Sequence, residues 1–202
     1  MFRRTIWYAF DMKDSLHAVW RWVKWPLIVL AVLALVFAVL VIWRWNVLEG
    51  DKQTTVDVER IHTTKLVWND INGTLPPEPD SAENNATLVG VDSNDNGIRD
   101  DVERAIYLQY KDNQRAVVAM LQYAKELQME FTEVHNSETL VAVLQEEDRG
   151  TLCIGDDDDR IKMVSDLVFN TEKRLQFFKT ILQKYMTSYS LPNPEDVCDI
   201  SI

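Results

Sequence analysis

An uninterrupted apolar segment near the N-terminus is the clearest pattern along the chain. Every residue from 27 to 42 is Leu, Ile, Val, Phe or Ala, and no charged residue occurs between Lys24 and Arg44. As a helix, the 19 uncharged residues would span roughly 28 Å, about the thickness of the hydrocarbon layer of a bilayer. Five tryptophans flank the segment, as is typical of membrane interfaces: Trp20, Trp22, Trp25, Trp43 and Trp45. We therefore predict a single transmembrane anchor at 25–44.

The distribution of basic residues indicates how the anchor is oriented. Residues 1–24 carry five Lys or Arg, whereas the 20 residues after the uncharged segment carry three. The positive-inside rule then favours a cytoplasmic N-terminus and places the rest of the chain outside the cytoplasm. Two alternatives stay open for 1–24, which is either an amphipathic segment on the membrane surface or a disordered tail.

The segment that follows the anchor is polar, and we predict a spacer at 45–90. Three prolines at 76, 77 and 79 favour extended backbone and exclude a helix there. Before them, Val56, Val58 and the run 66–68 favour either a short strand or a packed arm.

Beyond Asn96 the apolar residues recur at helical spacing, which predicts three helices. The first covers about 100–134. The second begins at Asn136 or Ser137, reaches about 147 and ends at Gly150. The third covers about 156–189 and stops before Pro192. The predicted fold class is therefore all-α: one N-terminal transmembrane helix and an acidic helical domain at 91–202 that forms a small antiparallel bundle.

Charge divides the chain in the same place as hydrophobicity. The net charge of −11 separates into +3 for residues 1–49 and −14 for residues 50–202. Because nucleic-acid binders need a basic face, we do not expect a nucleic-acid partner. Glu126, Glu130, Glu133 and Glu138 are predicted to line a solvated helix face. The acidic run 156–159 is predicted to lie at the positive end of the third helix, with a second cation site as the alternative.

The sharpest motif is the segment 90–103, GVDSNDNGIRDDVE. With Asp92 as position 1, it matches the twelve-residue spacing of a calcium-binding EF-hand loop over 92–103. Calcium prefers six to eight oxygen ligands, and Gly97 at position 6 permits the sharp turn that gathers them. The predicted Ca²⁺ ligands are Asp92, Asn94, Asn96, Ile98 through its backbone carbonyl, Asp100 and Glu103.

No helix is predicted before Asp92, so the loop differs from a paired EF-hand. It resembles the calcium loops of dockerin modules and thrombospondin type 3 repeats, a resemblance that implies calcium binding without a second hand. The asparagines at positions 3 and 5 lower the charge, which favours micromolar to millimolar affinity. Because no second hand is present to couple with the loop, a structural ion is favoured over a sensor. The stretch 75–106 also looks like a segment of uncharacterised exported bacterial proteins. That resemblance implies an envelope location and no known activity. Together with the predicted anchor and its orientation, it favours the bacterial inner membrane, with the C-terminal domain in the periplasm.

The two cysteines leave their pairing open. An exported domain favours a disulfide between Cys153 and Cys198. However, an unbroken third helix of about 48 Å would separate them by more than the ten-residue tail can reach, at most about 36 Å. Free thiols or an intermolecular bond are the alternatives.

No nucleophile–base set or phosphate-binding loop can be assembled from the sequence, so we do not expect an enzyme. The favoured hypothesis is a calcium-stabilised binding or assembly protein, acting as a subunit or modulator of an envelope protein complex, an inhibitor or immunity role included. The alternatives are a periplasmic structural tether or chaperone-like protein and, less favoured, an envelope hydrolase. Homo-oligomerisation through the Trp-rich flanks stays open.

Overall fold

The computed structural model describes residues 12–71, 74–190 and 197–201, and these residues form helices and loops without any strand. The all-α prediction is confirmed for that part of the chain. The chain divides into two units, Met1–Lys52 and Gln53–Ile202. The helices are α1 (Met12–Thr63), α2 (Trp68–Ile71), α3 (Ser81–Asn84), α4 (Asp100–Tyr110), α5 (Gln114–Thr132), α6 (Ser137–Ile154), α7 (Asp158–Val168) and α8 (Glu172–Tyr185).

The first unit contains the apolar segment, which lies within α1. Its side chains are uncovered; Leu30 is 61% exposed and Phe37 is 68% exposed. The helix is long and apolar enough to span a membrane, in agreement with the predicted anchor at 25–44. Residues 1–11 of the predicted cytoplasmic segment lie outside the described residues.

The predicted spacer at 45–90 is only partly a spacer. Helix α1 continues to Thr63, so no strand forms around Val56 and Val58. Ile61 and Leu66 are instead buried in the second unit, at 1% exposure each. Ile61 belongs to a small apolar cluster with residues of α5 and α6, and Val58 packs against that cluster. The packed-arm alternative therefore holds for Val58 and Leu66, whereas Val56, Val67 and Trp68 are exposed.

The predicted helix at 100–134 is two helices, because the chain breaks at 111–113. Asn113 caps the second of them, α5, since its side chain accepts a hydrogen bond from the backbone N–H of Ala116 (3.1 Å). Both halves still contribute to one core. Ile106 of α4 and Val117 of α5 belong to the same buried cluster as residues of α7.

Helix α6 begins as predicted and ends later than predicted. Asn136 caps it in a reciprocal capping box with Thr139. Gly150 does not end it; the helix continues to Ile154 and stops at Gly155, which has a φ of 82°. Gly150 is needed inside the helix, because a Cβ there would lie 1.9 Å from Oε2 of Glu126 on α5.

The predicted third helix is also two helices, α7 and α8, separated at 169–171. Thr171 starts α8 by accepting from the N–H of Arg174 (3.3 Å). Asp157 caps α7, and Asp158 and Asp159 lie in its first turn, which agrees with the predicted role of the acidic run. The proposed stop at 191–194 lies outside the described residues.

The interruption of this helix removes the obstacle to an intramolecular disulfide. Cys153 at the end of α6 and Cys198 in the C-terminal tail are bonded, with their Cα atoms 5.0 Å apart. Next to Cys198, the tail contributes Ile200 to the main core. The side-chain amide of Gln122 on α5 also binds the tail backbone. It donates to the carbonyl of Val197 (2.8 Å) and accepts from the N–H of Asp199 (2.9 Å).

The glutamates predicted to share a solvated face do not all reach solvent. Glu138 is exposed and Glu133 is half-buried, as expected for a surface face. Glu126 and Glu130 are buried, at 3% and 0% exposure, so the prediction is wrong for these two. They lie on the side of α5 that packs on α6.

Candidate calcium loop

The loop at 92–103 has the turn that its sequence predicts. Gly97 has a φ of 84°, and Asp95 also has a left-handed φ, of 54°. Asp and Gly are among the residues that adopt this region most readily. The turn folds back onto Asp92, whose carboxylate accepts from the backbone N–H groups of Gly97 (2.8 Å) and Asn96 (3.2 Å).

Side chains from both ends of the loop converge on Glu103. Its Oε2 accepts from the side-chain amides of Asn94 (3.2 Å) and Asn96 (3.0 Å). Positions 3, 5 and 12 of the predicted ligand set therefore meet, with the amide nitrogens of Asn94 and Asn96 toward Glu103. The amide oxygen of Asn96 accepts from the N–H of Ile98 (2.8 Å). Glu103 reaches them because α4 begins at Asp100, which puts Glu103 in the first turn of the helix.

Asp100 carries the most informative atom of the loop. Its Oδ1 accepts from the N–H of Ser93 (2.9 Å), whereas its Oδ2 is buried and has no hydrogen-bond partner. The residue as a whole is 0% exposed. A buried carboxylate oxygen without a partner is unfavourable, since it has lost water and gained nothing in exchange. This oxygen is therefore suited to a cation.

The acids of the loop also disturb one another. Burial raises the pKa of Asp92 and of Glu103 above their ordinary values, and the nearby charge of Asp100 raises both further. A divalent cation among these carboxylates would remove that repulsion.

The donor set fits calcium in kind. Three carboxylates, two amides and one carbonyl are oxygen ligands of the number and type that calcium prefers. Ile98 fits because its side chain is 0% exposed in the core, which fixes the backbone from which its carbonyl would bind. Among residues 12–71, 74–190 and 197–201, no three His, Cys, Asp or Glu side chains lie close enough to share a metal ion. Asp92, Asp100 and Glu103 are therefore not gathered into such a group in this structure; the two amides and the carbonyl are ligands of other types than these acids, histidines and cysteines.

Arg99, at position 8 of the loop, is a residue that sequence reasoning missed. Its side chain is 0% exposed, and its guanidinium donates to the carbonyls of Leu167 (2.6 Å) and Val168 (3.1 Å) at the end of α7. It also pairs with Asp101. Position 8 supplies no ligand in the twelve-residue pattern, so the spacing does not indicate that the side chain of Arg99 would be buried.

Gly90 lies directly before the loop and is required by Arg99. It has a φ of 78°, and a Cβ there would lie 2.2 Å from Cδ of Arg99 and 2.6 Å from Oδ1 of Asn84. The same Asn84 oxygen accepts from the N–H of Val91 (3.0 Å). The glycine thus permits both the turn and the close approach of the arginine.

A second buried arginine, Arg174 of α8, holds the segment before the loop. It donates to the carbonyls of Asn84 (2.6 Å) and Leu88 (2.8 Å), and to the side chain of Asn85 (3.1 Å). Burial and, to a smaller extent, the nearby charge of Arg99 together lower its pKa to about 10. Arg174 thus fixes the backbone on the N-terminal side of the loop, whereas Arg99 fastens the loop itself to the end of α7.

Comparison with protein-family models, with curated proteins and with solved structures finds no match to this chain.

Proposed function

We propose that this chain is a membrane-anchored, calcium-stabilised binding or assembly protein of the bacterial envelope. Its acidic domain, a small antiparallel helical bundle in the periplasm, binds another envelope protein as a subunit or modulator of a complex. Calcium is a structural ion at Asp92, Asn94, Asn96, Ile98, Asp100 and Glu103. The proposal assigns the domain no catalytic role.

The observation that carries the proposal is the unpartnered, fully buried Oδ2 of Asp100 within a loop of calcium-binding spacing. Asp100 is the first residue of α4, so an ion bound there would act on the start of a core helix. An ion at that point stabilises the fold by mass action, because the unfolded loop has no preformed site.

The disulfide supports the location outside the cytoplasm. Cys153 and Cys198 both follow the apolar segment in the sequence, and structural disulfides persist mainly in oxidising compartments such as the periplasm. A calcium site of modest affinity also suits a compartment rich in calcium.

The calcium claim is tested by melting the full chain in detergent with chelator and with millimolar calcium. We expect calcium to raise Tm by about 5–10 °C, the shift for a ligand at about 100 times its Kd. Asp100→Asn should abolish the shift. Asp95→Asn is the matched control, because it removes the same charge from an exposed non-ligand position of the same loop, where Asn tolerates the left-handed φ. Equal melting temperatures with and without calcium in the wild-type chain would refute the claim.

The binding claim is tested by crosslinking in the native membrane followed by purification. We expect one defined envelope protein to be recovered with the wild-type chain and with the Asp95→Asn variant, and much less of it with Asp100→Asn. Recovery of the chain alone, at native expression levels, would contradict a role in a complex.

A further inference from the structure

The interface between α5 and α6 contains three glutamates that lie outside the loop at 92–103 and outside its predicted ligand set. Glu126 and Glu130 lie one turn apart on α5, and Glu147 lies on α6. We call these three residues the carboxyl cluster. Glu126 and Glu130 are at most 3% exposed, and Oε1 of Glu147 is buried although other parts of that residue reach the surface.

Most of the carboxyl oxygens in the cluster have no hydrogen-bond donor. Oε1 of Glu126 accepts from the side-chain amide of Gln122 (3.0 Å). Oε2 of Glu126, both oxygens of Glu130 and Oε1 of Glu147 are buried without a donor. Buried carboxylates in this condition are strongly unfavourable unless a cation binds them or protons neutralise them.

The charged groups around the cluster supply only part of that compensation. On α6, Glu146 and Asp148 add negative charge, and Asp199 of the tail adds more. The positive charge of Arg149 acts on Glu126, and its guanidinium is also bonded to Glu146 and Asp199. Tyr123, on the same face of α5, donates to or accepts from Ser165 of α7 (3.2 Å).

The packing of the interface holds the carboxyl of Glu126 in place. It fills the space that a side chain at position 150 would need, and Cα of Tyr123 closes the same space at 3.0 Å from a Cβ there. Because the helices approach this closely, an ionised Glu126 has no room for water while α5 and α6 stay packed, so its ionisation favours their separation.

We propose that Glu126, Glu130 and Glu147 form a proton-dependent contact between α5 and α6, which is tight while the carboxyls are protonated and loosens when they ionise. Protonation turns each acid into a donor, so that Glu130 and Glu147 can hydrogen-bond to each other. The contact therefore makes the packing of the domain responsive to the pH of its compartment.

The titration of these groups agrees with the geometry. Burial raises the pKa of Glu130 to about 7. Burial also raises the pKa of Glu126 and of Glu147 well above the ordinary value, and for Glu147 the charge of Glu130 adds to it. Above the ordinary glutamate pKa, the folded state then binds more protons than the unfolded state. Because of Glu130, the free energy of unfolding therefore falls as pH rises from about 4.5 to about 7. Because of Glu126 and Glu147, it continues to fall at higher pH.

Hydrogen exchange of the full chain, read by mass spectrometry on peptides of α5 and α6, tests the proposal. Between about pH 5.5 and about pH 8.5, Glu130 alone should lower the protection of these amides about thirtyfold, after correction for intrinsic exchange. The whole series is run in excess chelator, so that calcium binding at 92–103 does not contribute. The α8 peptides serve as the internal reference.

Glu130→Gln and Glu147→Gln should each flatten this pH dependence, because the amide keeps the shape and cannot ionise. Glu138→Gln is the matched control: it makes the same change at an exposed position of α6 and should leave the profile unchanged.

Three results would overturn the proposal. The first is a wild-type profile without a pH-dependent loss of protection in α5 and α6, a measurement that needs no variant to fold. The second is a loss of the same size in Glu130→Gln. The third is full protection at the higher pH restored by added magnesium, since that would assign a metal ion rather than protons to the cluster.

Discussion

The disulfide between Cys153 and Cys198 should be a major source of stability in this domain. It fastens a tail that makes several other contacts. Ile200 is 7% exposed in the main core, and Gln122 bonds to the tail backbone. Asp199 accepts from the N–H of Leu66 (2.8 Å) and pairs with Arg149 (2.9 Å). Replacing both cysteines with serine leaves these contacts chemically possible. The change therefore isolates the constraint that the bond places on the chain.

The size of the effect follows from the length of the loop that the bond closes. The two cysteines are 45 residues apart in the sequence. In the chain-entropy model, closing such a loop in the unfolded state stabilises the folded state by about 4 kcal/mol at 25 °C. Domains of this size have about 5–15 kcal/mol in total, so the bond would account for a large share. The expected fall in Tm is about 8–16 °C.

The assay is urea unfolding of the full chain in detergent, followed by far-UV circular dichroism. The wild-type chain is compared with the double Cys→Ser variant, each with and without reductant. Reductant should destabilise the wild-type chain and leave the variant unaffected. A loss below about 1 kcal/mol would refute the reasoning, and covalent dimers on a non-reducing gel would show that the cysteines pair between chains instead.

Substitutions at four further positions test the residues that support the loop at 92–103 and the ends of α6 and α7. Gly90→Ala should lower the free energy of unfolding by about 2–4 kcal/mol, because the new Cβ clashes with its neighbours and φ at this position is unfavourable for alanine. At Gly155 φ is also positive but no atom lies near the new Cβ, so Gly155→Ala should lower it by about 1 kcal/mol. Chemical denaturation measures both changes. Arg174→Met should cost about 2–4 kcal/mol by leaving carbonyls without donors, and Arg174→Lys should not restore the loss, because a lysine cannot reproduce the planar set of donors. Asp157→Ala should cost about 1 kcal/mol by removing the α7 cap, measured in the same way.

Hydrophobic spacing predicted where helices would occur better than where they would break. The periodicity runs through Asn113 and through Thr171, yet each residue starts a new helix by capping it with its side chain. Both residue types are accepted helix caps and also occur inside helices, so periodicity alone does not distinguish the two. Gly150 is the opposite case: glycine is typical of a helix end, and only the approach of Glu126 explains why it lies inside one.

The loop at 92–103 could be located from sequence because its requirements are local. The spacing of Asp92, Gly97 and Glu103 is dictated by one turn and the helix that follows it. The two arginines that fasten the loop and the segment before it to the rest of the domain could not be found in this way. Arg99 and Arg174 bind backbone carbonyls that are 68 to 90 positions away in the sequence, and a backbone carbonyl leaves no signature in the residue types.

The burial of two glutamates on α5 also could not be predicted from the sequence. A glutamate at helical spacing is normally solvated, and Glu126 and Glu130 look no different in the sequence from Glu133. Their burial depends on α6 approaching α5 closely at Gly150. That approach is a property of two helices together and cannot be assigned to either alone.

The contacts that fix the loop without an ion also indicate how calcium would act. Arg99 and Gly90 fix the backbone at both ends of the turn by contacts that do not involve the ion, and Asp92 already accepts from Gly97 and Asn96 without it. A site whose backbone is preorganised changes little in shape when its ligand binds, so the binding free energy appears as stability. Calcium should therefore raise Tm while leaving the far-UV circular dichroism of the folded chain unchanged, whereas a calcium-dependent gain of helix would contradict a structural role and favour a sensor.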